Sequence, residues 1–322
     1  MNLNLLIDNL TNPALLFFLL GIIAVALKSD LEIPPGSSKF ISLYLLFAIG
    51  FKGGQELSHE HLTSEIMWSI CFGLTIAAAI PLYSFFILKK KLNIYDAGAV
   101  AAAYGSVSAV TFVTAVSFLE ANALKLHGHM VAIMALMESP AIIAGLILIS
   151  LYNKDTKTNL NRTVALKHSL TNGSVLLILG SLAIGYMASA EQAEGIKPFT
   201  NDIFKGFLAI FLLDMGIVSG RKLKSLVSEG IFPVAFAAIA PLVNGCIVAL
   251  LSSLVTDDVS NRFIFAVLAA SASYIAVPAA MKIAAPKANP GIFLPMALAV
   301  TFPINITVGL PLFFTIVQSV HL

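Results

Sequence analysis

Apolar runs of bilayer length follow one another almost without interruption from residue 12 to residue 319. A spanning helix needs roughly 20 mostly apolar residues. Runs of that kind lie at 12–28, 38–56, 64–88, 96–119, 128–152, 171–190, 202–220, 230–256, 261–282 and 291–319. Only 11% of the residues are charged and 58% are hydrophobic, whereas a soluble domain carries about a quarter charged residues. The expected fold is therefore an all-α integral membrane protein with ten transmembrane helices. The second run ends in Gly50-Phe51-Lys52-Gly53-Gly54 and reads as an irregular terminus lining a cavity. No basic stretch interleaved with aromatics supports nucleic-acid binding. Cys71 and Cys246 stand alone in apolar runs, form neither a metal set nor a disulfide framework, and read as small buried side chains.

The basic residues orient the chain. Ala24-Val25-Ala26 resembles a signal-peptidase site, but no Lys or Arg precedes the first apolar run, so that run reads as a retained span. With the N-terminus outside, 14 of the 19 Lys and Arg residues fall in inner loops. The remainder, Lys52, Lys125, Lys197, Lys205 and Arg262, scatter at outer span ends. The positive-inside rule thus places both termini outside, in a plasma (inner) membrane protein. The longest central connection, polar and basic, falls inside and is too short for a core of its own.

Five spans on each side of that connection imply halves of opposite orientation, and weak internal similarity follows in order. Ala78-Ala79-Ile80-Pro81-Leu82 matches Ala238-Ile239-Ala240-Pro241-Leu242, Ser106-Val107-Ser108 matches Ser271-Ala272-Ser273, and Met134-Ala135-Leu136 matches Met296-Ala297-Leu298. The expected division is a first inverted repeat over 1–152, a cytoplasmic linker over 153–169 and a second repeat over 170–322.

Spans four and nine carry the small polar residues. Gly105 permits unusual dihedrals, and Pro278 lacks an N–H and disfavours helix at Val277, so each span can break near its middle. A broken helix presents backbone N–H groups and its positive dipole end to an anion, while freed carbonyls and hydroxyls suit a hard cation. The expected substrate contacts are Ser106, Val107, Ser108, Ser271, Ala272, Ser273 and Tyr274. The bland alternative is that Ser, Gly and Ala merely let helices pack closely.

Charges inside spans are expensive and point to function. Glu138, before Ser139-Pro140, is the deepest acid and is expected to be a cation ligand or a proton carrier. Thr111, Thr301 and Asn305 are further candidate sodium ligands, and Thr307 offers another hydroxyl. Asp214, two turns after Lys205, is either a structural partner of that lysine or a proton site. Glu120 sits at a span end and reads as solvated. His59-Glu60-His61 and His127-Gly128-His129 lie in outer loops, match no complete zinc ligand set, and read as surface histidines.

At these residues the chain resembles the sodium-dependent bicarbonate transporters first recognised in cyanobacteria. The resemblance runs through Gly105-Ser106-Val107-Ser108 with Leu119-Glu120, and Met137-Glu138-Ser139-Pro140-Ala141. It continues through Lys205-Gly206 to Met215-Gly216, and Ala270-Ser271-Ala272-Ser273 to Pro286-Lys287-Ala288-Asn289-Pro290. It implies a gate domain and a core domain, a bicarbonate site between two crossing broken helices, sodium as the coupling ion with no other cofactor, and a homotrimer. It assigns site roles to Ser106, Ser108, Ser271 and Ser273, and further to Thr111 and Glu138. The chain departs from the family pattern at Tyr274, where the pattern has an acid, at Glu138, which replaces an Asp, and at Asp214, where the pattern is apolar. The family's long regulatory connection is shortened to the basic linker, so control by a soluble partner there is not expected.

These readings favour a sodium–anion symporter, with bicarbonate the leading substrate, over a cation–proton antiporter using Glu138 or Asp214. An intramembrane serine hydrolase would need a base within reach of Ser106 or Ser108, and no His lies in the middle of a span. The chain is thus not expected to be an enzyme.

Overall fold

The computed structural model describes residues 7, 11–60, 63–153 and 173–320. The basic linker expected over 153–169 lies, apart from Asn153, outside the described residues, as does His61. Every regular element among the described residues is helical: α1 Pro13–Ala26, α2 Pro35–Ser58, α3 Ser64–Leu88, α4 Ile94–Gly105, α5 Ala109–Ala121, α6 Gly128–Tyr152, α7 Gly173–Met187 and α8 Ala190–Lys197. After a π-helical turn at Pro198–Asp202 come α9 Phe204–Ser228, α10 Ile231–Leu251, α11 Val259–Ala270 and α12 Ala276–Ala284. The last run is α13 Pro290–Pro295, α14 Phe302–Ile304 and α15 Leu310–Ser319, joined by π-helical Met296–Thr301 and Asn305–Gly309.

Helix starts follow from local chemistry. Asn12, Thr63, Asn93, Ser108, Asp258 and Asn289 each accept a backbone N–H of the helix they precede, filling one of the orphan donors of a first turn. Six helical stretches are long and apolar enough to cross a membrane: Ser64–Leu88, Ile94–Ala121, Gly128–Tyr152, Ala190–Leu223, Ile231–Leu254 and Pro290–Ser319. Pro13–Ala26, Gly173–Met187 and Val259–Ala270 are apolar but shorter.

Glycine sets the closest contacts. α1 lies along α9 and α2 along α7. A Cβ on Gly216 would stand 2.1 Å from Phe18 O, and one on Gly54 would stand 2.1 Å from Leu182 O. The Gly50–Gly54 segment is therefore regular helix pressed backbone to backbone on α7, not the irregular terminus expected from its composition. α3 packs between α4 and α6, and α10 packs between α11 and the last helical run.

Polar groups at the helix ends find partners the sequence did not suggest. Arg262, expected at an outer span end, is buried; its Nη1 donates to Val320 O at 2.7 Å and its Nη2 to Ala249 O at 3.3 Å. Its charge thereby meets carbonyls at the negative ends of α15 and α10. Cys71, expected inside, is exposed on the flank of α3, and Cys246 is half-buried. Glu120 is not free in solvent but accepts from Lys52 Nζ at 2.8 Å, tying α5 to α2.

Candidate functional site

Two helices are interrupted, and the interruptions face each other. α4 ends at Gly105, where a Cβ would stand 2.2 Å from Pro81 Cγ. Ser106 and Ser108 are extended, and Ser108 Oγ then accepts Thr111 N–H at 3.2 Å to begin α5. α11 ends at Ala270, Ser271 is extended, and α12 begins at Ala276, with Ser273 Oγ accepting Val277 N–H at 3.4 Å. The second break thus lies over 271–275, before Pro278 rather than at it. Pro278 sits in the first turn of α12, where a missing N–H costs nothing.

The breaks are cross-linked through their backbones. Ser108 N–H donates to Ser271 Oγ at 3.0 Å, and that hydroxyl donates to Leu268 O at 2.8 Å. Ser273 N–H donates to Ala103 O at 2.8 Å. These bonds hold the first turns of α5 and α12 beside one small pocket of about 10 Å³, lined by Val107, Ser108, Ala109, Glu138, Ser273 and Tyr274, with Ser174 and Ile275 at its edge. That volume is about one water-sized sphere. It suits a single ion or water molecule and is too small for a polyatomic anion.

Two polar atoms there lack partners. Glu138 Oε2 and the Tyr274 hydroxyl are buried and make no hydrogen bond, although the phenol faces Ser108. A buried carboxylate oxygen without a donor is costly unless a cation or a proton completes it.

The other expected residues separate into distinct places. Ser106 and Ala272 are buried outside the pocket lining, and Ser106 Oγ has no partner. Thr111 is buried one turn into α5. Thr301 and Asn305 lie by the last helical run, already bonded: Tyr104 donates to Thr301 Oγ1 at 2.7 Å, Thr301 donates to Ala237 O at 2.8 Å, and Asn305 Nδ2 donates to Ala270 O at 2.7 Å. Asn305 Oδ1 remains unpaired between π-helical turns, which often mark functional segments. Thr307 donates to Pro303 O at 2.7 Å and so stays within its own helix.

Asp214 is not paired with Lys205. It accepts the Ser38 hydroxyl and lines a second cavity of about 510 Å³ together with Lys39, Arg221, Tyr274 and Ile275. That cavity is large enough for a small anion; its lining sets Lys39 and Arg221 against Glu32 and Asp214, with Arg221 3.8 Å from Glu32. On the opposite face a cavity of about 380 Å³ is lined by Lys52, Glu120, Lys125 and Lys197 without reaching any of the break residues.

The loop histidines are engaged rather than idle. His129 Nδ1 lies 2.8 Å from Glu60, Gly128 N–H donates to Glu60 at 2.9 Å, and His127 stands 3.5 Å from Glu60 and 3.4 Å from Asp258. Asp258 and Glu60 push His127 up to about 10, against the smaller effect of burial. Burial would raise Glu60, but the two histidines and the Gly128 N–H outweigh it and hold that carboxyl well below its usual range. Asp258 is likewise drawn down by His127 in spite of burial. This cluster ties the end of α2 to the starts of α6 and α11. No group of three or more His, Cys, Asp or Glu residues suited to a metal ion occurs among the described residues.

No hydrogen bond links Ser106 or Ser108 to a histidine, Asp or Glu among the described residues, so nothing there resembles an activated nucleophile. The sequence profile of the Na+-dependent bicarbonate transporter superfamily matches residues 13–318, nearly the whole length. The chain belongs to that superfamily. It is therefore a membrane transporter and not an enzyme, from a family defined by sodium dependence and bicarbonate. Among curated proteins none matches the chain.

Proposed function

We propose that the chain is a sodium-coupled symporter of a small anion, bicarbonate first, which binds at the membrane midplane where the two broken helices cross. The observation that carries this reading is the cross-linked pair of breaks. It brings the positive ends of α5 and α12 to one crossing, where they favour an anion, and sets the unpaired Glu138 Oε2 in an ion-sized pocket beside them, where its charge favours a cation. Ser108, Ser273 and Glu138 take the cation, while the 510 Å³ cavity, on the side of Lys39 and Arg221, admits the anion to the same crossing. Thr301 and Asn305 act as supports of the crossing or as a second cation site.

The reading extends to ten spans in two inverted halves with a core and a gate. The pairing of α1 with α9 and of α2 with α7 supports it, because exchanging the first and sixth spans and the second and seventh maps one contact onto the other. In this arrangement α1, α2, α7 and α9 form the gate, and both termini lie outside a plasma (inner) membrane. A homotrimer is carried only by the family resemblance. The cation–proton antiporter is less favoured because Glu138 and Asp214 line different cavities with Tyr274 between them.

Counterflow of labelled bicarbonate in proteoliposomes tests the proposal. Accumulation should require sodium on the same side and should scale with the sodium gradient. Transport indifferent to sodium but driven by a pH gradient would replace the symporter with the antiporter.

A further inference from the structure

Three residues, Ser174, Tyr274 and Ile275, line both the 10 Å³ pocket of Glu138 and the 510 Å³ cavity of Asp214 and Arg221. They form the partition between the two. Ser174 is small, and Ile275 is exposed and also borders a third cavity, of about 770 Å³. Tyr274 alone of the three combines a bulky ring with a buried hydroxyl that has no hydrogen-bond partner and faces Ser108. Its ring stands edge-on to Phe302 at 6.4 Å, which braces it from the side of the last helical run.

We propose that Tyr274 is the partition residue of the transporter: its ring seals the ion-sized pocket against the anion cavity, and its phenol oxygen completes the coordination of the cation inside. Two features lead to this. A buried phenol with no partner is disfavoured unless a ligand uses it, and Tyr274 lines the same ion-sized pocket as the unpaired Glu138 Oε2, with its hydroxyl toward Ser108. A neutral oxygen next to a carboxylate and two serine hydroxyls gives the all-oxygen donor set that a hard monovalent cation prefers. The ring then makes escape of the cation depend on movement of the 271–275 segment, the same segment that borders the anion cavity. Occupancy of the two compartments is thereby linked at one residue.

This inference rests on the symporter reading for the identity of the cation, but the partition itself can be tested without transport. In a background with Cys71→Ser and Cys246→Ser, a thiol is introduced by Ser273→Cys, and separately by Ser108→Cys. Each is challenged with a membrane-impermeant cationic methanethiosulfonate from the face of Arg221. With Tyr274 or Tyr274→Phe the reaction should be slow; with Tyr274→Ala it should be at least about tenfold faster. Equal rates for Tyr274 and Tyr274→Ala at both thiols would overturn the partition.

The hydroxyl is tested separately by sodium titration of bicarbonate uptake. Tyr274→Phe should raise the half-saturating sodium concentration about tenfold, the loss expected for one hydrogen-bonding group on an ion, with the half-saturating bicarbonate concentration unchanged. An unchanged sodium dependence, or a shift confined to bicarbonate, would overturn the phenol's role. Absence of sodium-driven uptake in the wild type would defeat the symporter reading, while the labelling rates would still decide the partition.

Discussion

Ser271→Ala and Ser106→Ala delete the same atom at corresponding positions of the two breaks, and the structure predicts opposite consequences for stability. The Ser271 hydroxyl is the acceptor for Ser108 N–H at 3.0 Å, in a fully buried setting. Its removal leaves that N–H without a partner, which costs about 1–3 kcal/mol. Leu268 O does not add to the loss, because it also accepts Ser271 N–H at 3.2 Å, a bond the alanine retains. Ser106 Oγ, in contrast, is buried with no partner, so its deletion removes an unsatisfied group and should be neutral or stabilising by up to about 1 kcal/mol. Heat denaturation of membrane proteins is often irreversible, so the comparison is best made as apparent melting midpoints at one scan rate in one detergent. Ser271→Ala should melt several degrees below the wild type, and Ser106→Ala at or slightly above it. Bicarbonate uptake should fall in both: in the first because the crossing loosens, in the second because a hydroxyl left free for a ligand is lost. If Ser271→Ala melted with the wild type, or Ser106→Ala lost as much as Ser271→Ala, the cross-brace reasoning would be refuted.

Glu138→Gln should weaken the response of uptake to sodium while leaving partial uptake at saturating sodium, because no residue of α6 lines the proposed anion cavity; complete loss at every sodium concentration would point to a proton carrier. His127→Gln should lower the melting midpoint in a pH-dependent way. His127 is raised from its ordinary 6.5 to about 10, so its contribution is fully present below pH 6.5 and is lost as pH rises through 10. Glu60 and Asp258 are lowered from 4.5 and 3.8, so their contribution is present above those values and is lost in acid. The gap between wild type and His127→Gln should therefore be widest near pH 5–6 and close toward pH 10. It should stay at about 1 kcal/mol or less because His127 and Asp258 are a little over a third exposed. A gap that grew with pH would contradict the assignment.

The sequence by itself determined the solvent of this chain, the type of element it forms and the neighbourhood of its candidate site. Apolar runs of bilayer length leave helix as the way to satisfy backbone polar groups, because lipid offers them no partners. The Ser-x-Ser pairs mark where two of those helices open. Both facts are local, carried by composition and spacing, and therefore legible in the chain alone. Only the tertiary structure decided which residues share a pocket. The Ser108–Ser271 bond spans 163 residues, Ser38–Asp214 spans 176 and Lys52–Glu120 spans 68, and no periodicity records such pairings. For the same reason Gly50–Gly54 looked irregular when it is helix pressed on helix, and Pro278 looked like the breaker when the chain opens before it. Glu138 meets Ser108, Ser273 and Tyr274, while Thr301 and Asn305, also expected as sodium ligands, are held elsewhere by Ala237 and Ala270. Helix formation in a membrane depends on neighbours a few residues away. The grouping of ligands depends on how whole helices cross, and that is fixed by packing among residues far apart in the chain.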